Sequence, residues 1–200
     1  MAAPIYIHWR DKSGIAIITH AMQAIEGQRA QAALRRAINH TGNKAFTRTR
    51  REISRVSSVP QKVLTQGDGK HGPRLTKRPA SGGSLEYVIT GSGKAIRIKH
   101  YSPRRMAKGY RFTIWQQHKH FKSAFWIGKG AKWAAGHLKD GNFYVRVGKA
   151  RFPVHAMWGA TVSKEIIKAE VVLAFERVVS ADLPKRVMHE INWVTRGAFS

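Results

Sequence analysis

Cysteine is absent from the 200 residues, which removes a disulfide framework, zinc fingers of the cysteine type and a thiol nucleophile. That absence fits a chain assembled in a reducing cytoplasm. Long apolar runs are missing too. The one near the start, from Ile15 to Ile18, lacks a basic leader and a small-residue cleavage site, and no stretch approaches the roughly 20 apolar residues that span a bilayer. No membrane contact and no recognisable export signal are expected. Acids are scarce, with 11 Asp/Glu against 36 Lys/Arg and a net charge of +25. The scarcity is local: residues 29 to 151 hold 28 of the 36 bases but only Glu52, Asp68, Glu86 and Asp140 as acids, whereas both ends are nearly balanced. Many nucleases gather carboxylates around Mg²⁺ or use a His pair, and these four acids fall on separate predicted elements.

What is present argues for a fold beneath the charge. Apolar residues make up 42% of the chain, with six Trp, eight Phe and five Tyr, enough for one domain with its own core. Disordered basic chains are poor in aromatic and β-branched residues, yet here these alternate through the most basic region. A self-repelling field of this strength points to a polyanion or an acidic partner surface.

The reading along the chain is an α+β domain. Residues 1–20 form an arm in which Ile5, Ile7 and Trp9 alternate as a short strand or a packing segment. A basic helical segment covers 21–64, its pattern running from Thr19 toward Val56. One stripe (Leu34, Ile38, Thr41, Ala45, Thr49, Ile53, Val56) packs, and another (Arg36, His40, Lys44, Arg48, Arg51, Arg55) is cationic. Gly42 marks a bend or break, so one helix or two fit. Pro60 opens a short helix capped by Ser57 or Ser58. Residues 65–84, rich in Gly, Pro and bases, read as a flexible flap that orders on a partner. A central antiparallel sheet of about four to six strands occupies 85–157: a hairpin turning at Gly91-Ser92-Gly93, a strand at Tyr110, Phe112 and Ile114, and a hairpin from Phe143 to Val154. Helices over 161–195 pack on it, the first capped by Thr161 or Ser163 with Ile167, Val171, Ala174, Phe175 and Val178 on its apolar face. The second restarts at Asp182 and Pro184.

Chemical signatures are few. Gly91-Ser92-Gly93-Lys94 lacks the remaining residues of a phosphate-binding loop and reads as a turn. His118 and His120 share one face of a strand, but Lys119 and Lys122 oppose a cation there, so no metal and no cofactor is expected. Metal-free hydrolysis by His100, His118 or His137 is the enzymatic alternative. Tryptophans 115, 126 and 133 lie among bases as in single-strand-binding surfaces, although their apolar neighbours favour core or interface roles. The expected polyanion or acidic-partner contacts are Arg36, Lys44, Arg48, Arg51 and Arg55 on the helix, Lys70, Arg74, Lys77 and Arg78 in the flap, and Arg97, Lys99, Arg104 and Arg105 on the sheet.

Several strings, in order, resemble the minor tail protein Z family of lambda-like tailed bacteriophages. Ala33-Leu34-Arg35-Arg36-Ala37-Ile38-Asn39-His40 is similar to that family's alanine-rich A-x-N-[RH] helix, and Arg50-Arg51-Glu52-Ile53 with Val59-Pro60-Gln61-Lys62 resembles its basic second segment. Gly141-Asn142-Phe143-Tyr144-Val145-Arg146-Val147, Arg151-Phe152-Pro153-Val154 and Asp182-Leu183-Pro184-Lys185 look like its strand, its [RK]-[YF]-P-[IV] turn and its closing L-P-K helix. The resemblance covers most of residues 24 to 195. It implies a structural, non-catalytic tail-completion protein of the virion neck, assembled in the host cytoplasm as a homo-oligomeric ring. Its implied neighbours are the tail terminator and head-connector proteins, around duplex DNA touched without sequence preference. A free nucleic-acid-binding protein or basic nuclease is the alternative.

Overall fold

The computed structural model describes residues 5–7, 28–68, 71–132, 138, 140–150 and 152–194. The class is mixed α+β, with an N-terminal helix, several antiparallel sheets and a C-terminal helix. The chain divides into two compact units. One comprises Ile53–Arg74 and Ser92–Glu165. The other comprises the described residues of Pro4–Glu52, Leu75–Gly91 and Ile166–Ser200.

Helix α1 spans Gln28–Ser57 without a break. Of its predicted packing stripe, Leu34, Thr41, Ala45, Thr49 and Ile53 are buried, and Ile38 and Val56 are half-buried. Gly42 serves packing rather than a bend, since a Cβ there would overlap the Tyr87 ring. In the same unit, β3 (Val88–Gly91) lies between β1 (Ile5–Ile7) and β2 (Leu75–Arg78), with Ile5 and Leu75 both opposite Gly91. The 65–84 segment is therefore no free flap: it contributes a strand anchored by the buried Leu75. Asn39 of α1 holds the next turn, donating to the Ala80 carbonyl at 3.0 Å and accepting the Ala80 N–H at 2.8 Å.

The C-terminal helix, here α4, runs Ala169–Val194 as one piece with Pro184 inside it. A proline there removes a helical hydrogen bond and costs about 3 kcal/mol. Val179 and Leu183 before it and Val187 and Ile191 after it are buried, and that shared apolar face keeps the helix continuous where the sequence suggests a restart. The expected face also shifts by one residue at its start, Ile166 being buried and Ile167 exposed.

Among the described residues of the other unit, three small sheets stand in place of the single central one. β4 (Ala95–Arg97) pairs with β11 (Trp158–Thr161); β6 (Tyr110–Ile114) lies between β5 (Arg104–Arg105) and β7 (Gln117–Phe121); β9 (Asp140–Arg146) lies between β8 (Ala124–Lys129) and β10 (Val154–Ala156). The β9–β10 hairpin and the β6 alternation follow the sequence pattern. The hairpin placed at Gly91-Ser92-Gly93 does not form, because β3 and β4 belong to different sheets. Trp158 and Gly159 lie on a strand, and the helix after them, α3, is only Val162–Glu165. Phe112 and Phe143 meet edge to face at 4.9 Å, with Tyr110 at 4.7 Å from Phe143, so the aromatic residues build the core here.

The turn between β6 and β7 is Trp115-Gln116, with φ of 50° and 61°. Both left-handed residues suit a two-residue hairpin turn but are costly for bulky side chains. Contacts hold them: the Trp115 indole donates to Glu165 Oε1 at 3.0 Å, the Gln116 N–H to Ser58 Oγ at 2.8 Å, and the Gln116 amide to the Arg55 carbonyl at 3.1 Å. A helix leaves its last carbonyls without internal partners, and this turn supplies donors to the end of α1. Ser57 and Ser58 are thus not caps for α2 (Gln61–Gln66), whose N-cap is Pro60.

Candidate polyanion-contact surfaces

The cationic stripe of α1 is solvent-facing, but its cations have unequal surroundings. Toward its start, acids of α4 neutralise it. Arg36 Nε donates to Glu190 Oε2 at 2.7 Å, and its guanidinium lies 4.9 Å from the Trp193 ring centroid. Lys44 and Thr41 donate to the two oxygens of Asp182, with His40 Nδ1 3.5 Å away. Burial alone would raise the Asp182 carboxyl, yet the Lys44 and Thr41 bonds and the nearby cations outweigh it and hold its pKa below the ordinary value. Asp182 is therefore a carboxylate at neutral pH.

Toward the C-terminal part of α1 the situation reverses. Arg48 and Arg51 are exposed and carry no ion pair among the described residues. With His40, Asn43, Lys44 and Thr47 they line an open groove of about 530 Å³. The sequence does not single out Asn43 and Thr47, although their helical spacing from Arg51 places them on that face. Asn43 Oδ1 accepts from the Tyr87 hydroxyl at 3.0 Å and from Lys77, whose ammonium also sits 5.4 Å from the Phe46 ring. Lys77 is thus drawn to the same stretch of α1. Arg55, exposed in the last turn, favours the negative end of the helix dipole.

The remaining candidates separate. Lys70 lies outside the described residues. Arg78 pairs with Glu86 at 3.2 Å. Arg104 and Arg105 are exposed on β5. Arg74 and Arg97 are buried and correct the expected surface role. Arg97 is the hub of an internal network: Nη2 reaches Asp140 Oδ2 at 3.0 Å and His71 Nε2 at 3.1 Å, Nη1 donates to the Asp140 carbonyl at 3.2 Å, and Nε lies 3.6 Å from Asp68 Oδ2. Asp68 Oδ1 in turn accepts the His71 N–H at 3.0 Å. Burial pushes the Asp68 carboxyl up, but that hydrogen bond and the Arg97 charge prevail and lower it. Burial, then the Arg97 charge, lower the half-buried Lys99 ammonium. Alternation still sets Arg97 and Ile96 on opposite faces of β4, but both faces are covered: Ile96 and Arg97 are both buried.

Trp115 is held by Glu165 with Lys119 4.9 Å over its ring, and Trp126 packs against Phe143 at 4.8 Å, while Trp133 lies outside the described residues. Among the described residues no group of three His, Asp or Glu is placed to hold a metal ion, and no helix is long and apolar enough to cross a membrane. Comparison with protein-family models, with curated proteins and with solved structures finds no match to this chain.

Proposed function

We propose that the chain is a structural component of a bacteriophage virion, a tail-completion protein at the head-proximal end of the tail, whose α1 face meets a polyanion or an acidic neighbour. The observation that carries the reading is the α1 groove. Arg48 and Arg51, beside His40 and Lys44, present cations on a rigid helix rather than on loops, with no acid paired to either arginine among the described residues. Surface faces of helices ordinarily mix signs, so an unbalanced one is maintained against self-repulsion. The order of sequence strings that resemble the tail protein Z family supplies the biological setting, with terminator and connector proteins as neighbours and DNA in the channel. Charge on a helix face reads phosphates by position and not by base, so any DNA contact is sequence-independent.

The test replaces Arg48, Arg51 and Arg55 together with Gln in a phage whose own copy of the gene is interrupted. The expected result is wild-type folding by circular dichroism with particles that fail to complete. Normal infectivity would remove the functional role of this face. In dilute nuclease-free buffer, the purified chain is expected to form a defined ring or to join tails. A monomer that ignores tail proteins and cuts or tightly binds free DNA would sink the tail reading in favour of a free nucleic-acid-binding protein or nuclease.

A further inference from the structure

The β5–β6–β7 sheet has two unlike faces. Phe112 and Ile114 are buried on one, with Phe112 against Phe143 and Phe121. Alternation puts Arg111 and Thr113 on the other. Register then completes a row that sequence spacing does not reveal: Arg104 is opposite Arg111, and Arg111 is opposite His120. The neighbouring row is Thr113 opposite His118, joined by a 3.1 Å contact between Thr113 Oγ1 and His118 Nδ1. His120 Nε2 donates to the Lys108 carbonyl at 2.6 Å, which fixes that ring. Arg104, His118 and His120 are exposed, and Arg111 is half-buried.

Two arginines set directly opposite each other on paired strands destabilise a sheet. Nothing acidic in the local sequence offsets them, because no Asp or Glu occurs from residue 87 to 139. We infer that this sheet face binds the phosphodiester backbone of nucleic acid, with Arg104 and Arg111 each holding a phosphate and His120 and Thr113 beside them as hydrogen-bonding groups. Strands lie about 4.8 Å apart and same-face residues on one strand about 7 Å apart, so the face offers a flat grid of donors over which a charged backbone can lie. It carries no exposed aromatic or methionine in either row, whereas the centres of protein interfaces are enriched in these and poor in charge. That composition favours phosphates over an acidic protein. Neither row carries Phe, Tyr or Trp, and contacts to the phosphate backbone carry no base information, so binding is indifferent to sequence. The inference does not depend on the tail role or on the α1 groove.

The experiment measures fluorescence anisotropy of a labelled random-sequence DNA duplex of about 30 base pairs with the full chain, between about 50 and 200 mM salt. Each lost phosphate contact removes about 0.9 from the slope of log affinity against log salt. R104Q/R111Q is therefore expected to lower the slope by about 1.8 and to weaken binding roughly 60-fold at about 0.1 M salt, if both contacts are purely electrostatic. R104K/R111K should retain most of the slope. Thermal unfolding of R104Q/R111Q should match or exceed wild type, since a like-charge pair is removed, and bound duplex should raise the wild-type midpoint more than the variant's. Unchanged affinity and slope in R104Q/R111Q would overturn the inference, as would a wild-type chain that binds no duplex at low salt. Equal loss of binding to poly-L-glutamate and to duplex would reassign the face to acidic chains. An R48Q/R51Q chain that no longer completes particles but keeps the wild-type slope separates this face from the α1 reading.

Discussion

Replacing Arg97 with Met tests whether the internal ion network stabilises the unit that contains it. The side chain of Arg97 is only 4% exposed and that of Asp68 2%, while Asp140 is 18% exposed. Methionine keeps most of the apolar volume, so the loss is electrostatic and not a cavity. Removing one partner from a buried ion pair typically costs about 3–5 kcal/mol, because the remaining charge is stranded. For a chain of this size each kcal/mol shifts the melting temperature by about 2–4 °C, so R97M should melt roughly 6–20 °C below wild type. Adding D68N and D140N removes the stranded charges while the carboxamide at position 68 keeps an acceptor for the His71 N–H, and about half of the loss should return. Asp68 is held below its ordinary value of 3.8 in the native state. Its contribution is therefore present above that pH and lost as pH falls through the depressed value, so the wild-type advantage should narrow below about pH 4. Thermal and urea unfolding followed by circular dichroism read both effects. A cost under about 1 kcal/mol, or a triple variant no more stable than R97M, would refute the reasoning.

Gly42→Ala should gain about 1 kcal/mol of helix propensity yet lose more by displacing the Tyr87 ring, for a net loss of about 1–2 kcal/mol. The same change in a Tyr87→Ala background should be neutral or stabilising by urea unfolding. Gln116→Ala withdraws the donor to the Arg55 carbonyl and should cost about 1 kcal/mol, with faster amide hydrogen exchange in the last turn of α1 as its signature. Stability should also fall in two stages with acid. Burial first, then neighbouring cations, hold His71 and His100 below the ordinary 6.5, so the unfolded chain binds protons more readily below that pH and stability declines. Asp68 and Asp182, depressed below 3.8, add a second decline as pH falls through their native values. A urea midpoint flat from neutral pH to about pH 5 would contradict the first stage.

Elements set by local periodicity were legible. The α1 stripes, the alternation of Tyr110, Phe112 and Ile114, and the hairpin returning at Val154 all follow from spacing within one segment. What depends on distant partners was not. Gly91-Ser92-Gly93 has the composition of a hairpin turn, but β3 is already flanked by β1 and β2, and β4 finds β11 more than 60 residues later. Arg97, expected on an outer face, is buried next to the buried Ile96, because both faces of β4 are covered. Pro184 carries a strong stop signal that burial on both sides overrides. For the candidate site, the helix spacing located Arg48 and Arg51, but nothing in the sequence near Arg36 or Lys44 announces that Glu190 and Asp182 will lie over them.

The Trp115-Gln116 turn sets local preference against the needs of the surrounding structure. Asn-Gly is the pair best suited to a two-residue hairpin with both residues left-handed, and it would relax β6–β7 considered alone. It would also delete the indole that reaches Glu165 and the amide that reaches the Arg55 carbonyl. This chain therefore accepts a locally frustrated hairpin as the means of finishing a helix about 60 residues earlier in sequence. Sequence optimisation that scores each segment by its own geometry would exchange these two residues first, and would loosen the end of the helix that carries the cationic stripe.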